Sequence, residues 1–349
     1  MQYPIELGLD TFGDVTETTD GVLISHAQAI RDVVDQAVLA DQLGLDFFGL
    51  GEHHRIEFAV SAPEVVLAAI AARTKNIRLG SAVTVLSSDD PVRVYQRFAS
   101  LDALSQGRAE VVLGRGSFTE SFPLFGYDLA DYEILFEEKI ELFAELLKDA
   151  PVTWPGTKRG SLTNQWVYPR PESGTITTWV GVGGSPQSVV RAAQYGLPLM
   201  LAIIGGEPAR FEPYADLYRR ALAELGKPAQ PIAIHSSGYV AETDEEALET
   251  VYPHHMAFRE KAGRERGWPP FSSAQYLQGA GPDGALYIGS PETVAQKIAK
   301  NLRLLGASRF DMRYSMGLLG HTHLMNSIEL YGTQVAPRVR ELMHEQTLP

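Results

Sequence analysis

The stretch Asp46-Phe47-Phe48-Gly49-Leu50-Gly51-Glu52-His53-His54 decides how this chain is read. Its first half is an apolar run of strand length; its second half delivers a carboxylate and two imidazoles just past that run. In a protein of repeating strand–helix units, the C-terminal ends of the strands are where ligands sit. The flanking sequence repeats the arrangement. Downstream, Ile77 to Leu86 reads as a strand. Ala109 to Leu113 reads as another, and it ends in Gly114-Arg115-Gly116. Upstream, Ile5 to Leu9 reads as the first strand. The spacing predicts a helix after it, with Ser25 and Gln28 as a capping box and Gly44 at the far end.

The alternation continues along the chain. A helix is expected to open near Ser61 and Glu64 as a second capping box, and another at Asp90-Pro91, with proline in the first helical position. A long helix covers about Asp131 to Leu147. Residues 149–174 break the pattern with prolines, glycines and spaced aromatics, which predicts an excursion containing a small hairpin. Strands at Ile176 to Val182, Leu199 to Ile204, Ile232 to Val240 and Arg309 to Tyr314 complete a set of eight, each followed by a helix. A second irregular stretch spans 267–287. Strands separated by helices pair in parallel with right-handed crossovers. Eight such units predict one α/β domain over 1–349, an eight-stranded parallel (β/α)8 TIM-type barrel with insertions. The competing open, doubly wound sheet lacks its Gly-x-Gly-x-x-Gly turn in the first unit.

Composition narrows the function. The net charge of −13, with no basic block, argues against nucleic acid. The chain has no cysteine, which removes disulfides, thiolate metal sites and a thiol nucleophile together, and fits a reducing cytoplasm. The opening Met1-Gln2-Tyr3-Pro4 shows no leader pattern, and no apolar run reaches membrane-spanning length. Neither a Gly-x-Ser-x-Gly elbow nor a Walker loop occurs.

Among the polar residues, His53 reads equally as a general acid–base group and as a hydrogen-bonded loop histidine. Three adjacent residues cannot all face one ion, so no metal site is expected at Glu52-His53-His54. His321-Thr322-His323 is expected to open the last helix, and His254-His255 to be ordinary helix residues. Gly114-Arg115-Gly116 lets backbone approach a ligand beside an arginine that could grip a phosphate or carboxylate. Gly183-Gly184-Ser185-Pro186-Gln187-Ser188 places Ser185 as N-cap, so the helix start and the Ser185 and Ser188 hydroxyls would face an anion, with plain capping as the alternative. The similar Gly289-Ser290-Pro291-Glu292 carries a glutamate that would repel phosphate.

Taken in order, Asp46 to His54, Ile77-Arg78-Leu79-Gly80-Ser81-Ala82-Val83, Asp90-Pro91-Val92-Arg93, Leu104-Ser105-Gln106-Gly107-Arg108, Gly114-Arg115-Gly116 and the Gly-Gly-Ser-Pro segment closely resemble the bacterial luciferase-like flavin monooxygenases. The resemblance covers nearly the whole chain and implies the same eight-stranded barrel. It implies reduced FMN supplied by a separate flavin reductase. Oxygen would add at the flavin C4a carbon, and the resulting peroxyflavin would oxidise a small organic substrate. It makes His53 the catalytic acid–base residue. It also puts Ala82 and Val83 under the flavin ring, joined by a cis peptide, and Arg115, Gly184, Ser185 and Ser188 around the phosphate. Residues 267–287 match a mobile loop over the site, and a homodimer is the family's habit. The chain departs from the family after Phe125-Gly126, where Asp128 to Glu133 offers no arginine. Two other readings stay open on the same barrel: a deazaflavin-dependent dehydrogenase, and a non-catalytic flavin-binding partner subunit.

Overall fold

The structure, a computed structural model, describes residues 3–116 and 118–345; of the opening segment read for a leader, Met1 and Gln2 lie outside the described residues. Eight strands form the barrel: β1 (Glu6–Thr11), β2 (Phe47–Leu50), β3 (Arg78–Ser81), β4 (Ala109–Gly114), β5 (Thr177–Val182), β6 (Leu199–Ala202), β7 (Ile232–Val240) and β8 (Arg309–Arg313). Neighbours in sequence pair in parallel from β1 through β8. β8 then pairs with β1, Asp10 lying opposite Arg313, so the sheet closes and no stave is left with a free edge. The fold is the eight-stranded parallel (β/α)8 barrel expected from the sequence. Residues 149–174 do hold a hairpin, Val152–Trp154 against Leu162–Gln165, antiparallel.

Local chemistry explains most of the helix starts. Asp90 accepts hydrogen bonds from the N–H groups of Val92 and Arg93 ahead of helix Pro91–Ser105. Ser25 caps helix His26–Gln42 by accepting from the Gln28 N–H. The reciprocal half of that box is missing, because Gln28 Oε1 accepts from the Arg31 guanidinium instead. The second expected box does not form: the helix starts at Pro63 after an uncapped Ala62, and Glu64 pairs with Arg97 at 3.2 Å. The run Ile77 to Leu86 is not one strand. It divides into Arg78–Ser81 and Thr84–Val85, with a single 3-10 turn after them. Residues 267–287 are more ordered than their composition suggests. They contain helix Ser273–Ala280, opened by a complete capping box of Ser272 and Gln275. Lys297 fastens that segment to helix Pro291–Leu305 by donating to the carbonyls of Gly281 (2.6 Å) and Leu286 (2.7 Å).

The interior of the barrel inverts the usual polarity. In β8, Phe310 and Met312 join the apolar layer between strands and helices, while the alternate residues Arg309, Asp311 and Arg313 turn inward. Val112, Trp179, Met200 and Ala233 make a small separate apolar cluster inside the ring. Below them, at the N-terminal end of the strands, Arg309 donates to Glu110 (2.6 Å) and Asp311 (2.9 Å) with all three buried. Its guanidinium lies 3.8 Å from the centre of the Phe47 ring, and Arg78 adds a 2.7 Å pair to Glu110. This packing sets the identity of Gly8, where a Cβ would stand 2.3 Å from Asp311 Oδ1. The lower lumen is thus plugged by paired charge and aromatic rings. Any space for a ligand lies above it.

Candidate active site

That space is a cavity of about 500 Å³ at the C-terminal mouth, within the size range of small-molecule sites. His53, one residue past Glu52 on the loop after β2, lines it. Its ring is packed by Phe12, Phe58 and Phe118, with centroids 4.4, 4.7 and 5.0 Å away. Its Nδ1 lies 3.7 Å from Glu120 Oε1, beyond hydrogen-bond length. Burial pushes the His53 pKa below that of free histidine, and Glu120 only partly offsets the effect. The ring is therefore neutral near pH 7 and able to take a proton. The adjacent pair has a different job: His54 Nε2 meets Glu52 Oε1 at 2.8 Å, and Glu52 Oε2 accepts from the Val85 N–H at 3.0 Å. That carboxylate ties the β2 loop to the backbone just beyond Val83.

Ala82 and Val83 form part of the cavity wall, and the peptide bond between them is cis. A Cβ at Gly114 would fall 2.5 Å from a Val83 methyl, so only glycine lets β4 pass this close. Arg115 lines the cavity and pairs with Glu133 at 2.6 Å. Glu133 is itself largely exposed, its side chain 64% accessible, and also lies 4.0 Å from Arg191.

The helix start after β5 is built as the sequence predicts. Ser185 caps helix Pro186–Tyr195 by accepting from the Ser188 N–H. Gly183 and Ser188 reach the cavity, whereas Gly184 and Ser185 do not line it. The Ser185 hydroxyl is already engaged, accepting from Ser188 and donating to Gln187 at 3.0 Å, so it supports the loop rather than facing the cavity. An arginine that sequence reading overlooked braces this helix start. Arg191, three residues past Ser188 on the same helix, donates to Ser188 Oγ at 3.2 Å and to Glu137 at 2.7 Å.

Other residues were missed as well. His235 of β7 lines the cavity, its Nδ1 2.8 Å from Asp10 Oδ2 in the lumen. Burial disfavours its charged form, but Asp10 outweighs that and raises its pKa. Its signal was parity: in Ile232–Val240 it is the inward-facing position that a barrel strand turns to the lumen. His254 and His255 also line the cavity, contrary to the expectation that they are ordinary helix residues. Helix Asp244–Arg266 passes along the mouth and presents His254, His255, Phe258, Arg259 and Arg266 to it. The helix is held there by Arg55–Glu265 at 2.7 Å and by Lys261–Glu57, which clamp it to the loop after β2. His321 opens helix His321–Leu330 behind Gly320, as expected. Among the described residues no helix is long and apolar enough to cross a membrane.

Known proteins agree with this architecture. Limonene 1,2-monooxygenase of Rhodococcus erythropolis is 29% identical over 320 residues, covering 88% of this chain and 81% of that protein. The oxygenating constituent of 3,6-diketocamphane monooxygenase from Pseudomonas putida, solved with FMN, superposes with a TM-score of 0.77 at 19% identity, covering 97% of this chain and 99% of its own. The coenzyme F420 dependent tetrahydromethanopterin reductase of Methanopyrus kandleri gives 0.73 at 17% identity, covering 97% of this chain and 100% of its own. Residues 11–309 match the family described as luciferase-like monooxygenases. With the closed barrel and its open C-terminal mouth, that match makes this chain an oxidoreductase belonging to the luciferase-like monooxygenase family.

Proposed function

We propose that this protein is a flavin-dependent monooxygenase that uses reduced FMN and O2 to oxidise a small organic substrate. One observation carries the reading: a single cavity is lined by a neutral, ring-packed His53 on the β2 side and by Arg115, Gly183 and Ser188 on the β4–β5 side. The residues fit such a cofactor. Nothing stands within 4 Å of where a Cβ on Gly183 would be, so the helix start is open to a phosphate. Ala82, Val83 and Gly181 offer a smooth wall for a flat ring. Bound reduced flavin supplies the oxygen-activating chemistry. Arg115 and Ser188 hold its phosphate, with Ser185 and Arg191 fixing Ser188. His53 receives or returns a proton at the reacting centre, and Phe12, Phe58 and Phe118 keep water from it.

This reading includes a separate reductase as the source of reduced flavin, and a cytoplasmic homodimer. Val65 and Leu104 are exposed on neighbouring helices and line a shared groove with Tyr168, apolar positions ringed by Arg93, Gln96 and Arg97 that suit the mixed surface of a second copy. The F420-dependent neighbour favours a second reading, a deazaflavin dehydrogenase on the same barrel. Titration of the purified protein separates the two. FMN binding with substrate-dependent oxygen uptake supports the monooxygenase; tight deazaflavin binding without FMN binding overturns it.

A further inference from the structure

We propose that the rim of the cavity at β7–β8 is a subsite for an anion, and that Arg259 grips the carboxylate of a substrate whose remaining body is apolar. The proposal deepens the monooxygenase reading and rests on it for the word substrate; the subsite itself does not.

The argument begins with charge accounting around the cavity. Its lining contains two carboxylates, Glu52 and Glu120, and four guanidinium groups, Arg115, Arg259, Arg266 and Arg313. Glu52 is taken up by His54 and the Val85 N–H. Glu120 stands beside His53. Arg115 has Glu133, and Arg313 has Asp14 at 3.2 Å. Asp14 is engaged elsewhere too, accepting from Ser315 Oγ (2.5 Å) and the Gly317 N–H (3.2 Å). Arg259 is different. No carboxylate is paired with it and burial alone acts on its charge; its Nε, like that of Arg313, is shielded from solvent and unbonded.

Arg259 is also held in place. Its guanidinium carbon lies 4.9 Å from the Trp268 ring centre and 4.5 Å from that of Phe271. Aromatic faces that fix a guanidinium leave its planar donor fork pre-organised for a two-oxygen acceptor. Next to it, burial and the charges of Arg259 and Arg313 drive the His255 pKa down to about 4, so this imidazole is neutral and adds no competing charge. Arg259 is half-buried at the cavity wall, and the chain supplies it aromatic faces but no carboxylate, which leaves its donor fork for an anion.

This anion is distinct in the proposal from the cofactor phosphate placed above. Arg115 follows β4 and Ser188 follows β5, whereas Arg259 follows β7 and Arg313 ends β8. In a ring of eight staves β4 and β8 face each other, which puts Arg313 across the mouth from Arg115, with Arg259 on the helix that follows β7. His53 lines the cavity that separates them. Phe58, Phe118, Phe258 and Met316 line the same cavity and suit a hydrocarbon body.

The test uses the full chain with decanoate and decanamide, matched in length and differing in charge, each titrated by calorimetry with FMN present and with FMN absent. The expected result is at least tenfold tighter binding of decanoate by the native protein, a ratio near one in Arg259→Met, and partial recovery in Arg259→Lys. FMN affinity is expected to stay within twofold throughout. A decanoate-to-decanamide ratio near one in the native protein overturns the proposal, as does a ratio that survives Arg259→Met. Loss of FMN binding in Arg259→Met, with the ratio intact, reassigns Arg259 to the cofactor and overturns it too. A charge preference that depends on Arg259 in a protein that never binds FMN upholds the subsite and ends the flavin reading.

Discussion

At the N-terminal end of the barrel Arg309 meets Glu110 at 2.6 Å and Asp311 at 2.9 Å, in a lumen closed by Phe47 and Trp179. At the C-terminal mouth, Arg259 of helix Asp244–Arg266 meets no carboxylate and His53, on the loop after β2, stands 3.7 Å from Glu120. The residue types are alike at both ends. What differs is whether the protein completes its own pairs. A buried charge that the chain pairs itself stabilises one arrangement of the staves. A charge left without a partner, on a rim that opens to a cavity, is a place for something from outside. In this barrel the division follows the strand direction, as it does in α/β barrels generally.

The comparison can be broken from either side. The largest effect is expected at the bottom. Arg309→Met leaves Glu110 and Asp311 buried without their partner, and we expect a loss of about 3–5 kcal/mol of stability. A urea midpoint indistinguishable from that of the native protein would show that the lower network is dispensable. At the top, His53→Gln is expected to lower kcat/KM about 10²- to 10⁴-fold while leaving the urea midpoint in place. A drop in stability with activity kept would move His53 to the structural side of the divide.

Smaller effects sharpen the boundary. Ser185→Ala removes the cap of helix Pro186–Tyr195, for an expected cost of about 0.5–2 kcal/mol. Because Ser188 loses its anchor, FMN affinity should weaken as well, and a fluorescence titration of the variant reads this directly. The smallest effect is one of pH. Burial already holds the His53 pKa low, and Glu120 is the group that pulls it back up. Activity that needs neutral His53 is retained above that pKa and lost as pH falls through it. Glu120→Gln removes the upward pull, so the acid limb of the kcat/KM profile is expected to move to lower pH. A shift to higher pH would mean that Glu120 does not act through His53.

The eight staves were legible because each apolar run ended in a polar turn and was followed by a helix of the right length. Residues on the strand-end loops were legible for the same reason: His53, Arg115 and Ser188 all reach the cavity. What escaped reading came from two sources. His235 and Arg313 sit inside strands, and their inward direction depends on a polarity inversion visible in Arg309-Phe310-Asp311-Met312-Arg313 only once the barrel is closed. His255 and Arg259 sit on a helix whose face looks unremarkable until its path over the mouth is known, and that path is set by the distant pairs Arg55–Glu265 and Lys261–Glu57. Ser185 illustrates the opposite error. Its motif was correctly identified as a cap, yet the capping bond is what turns its hydroxyl away from the cavity.

The tie between Arg309 and Glu110 also bears on how the chain matures. The two residues are 199 positions apart, and Arg309 belongs to the final stave to leave the ribosome. Until it docks, a nascent chain that has already made Glu110 can offer it only Arg78 and the Trp179 indole. A product truncated before residue 309 would therefore keep an acidic group at its centre with half its neutralising charge missing. Such a fragment is expected to be a substrate for proteases and chaperones rather than a smaller working enzyme.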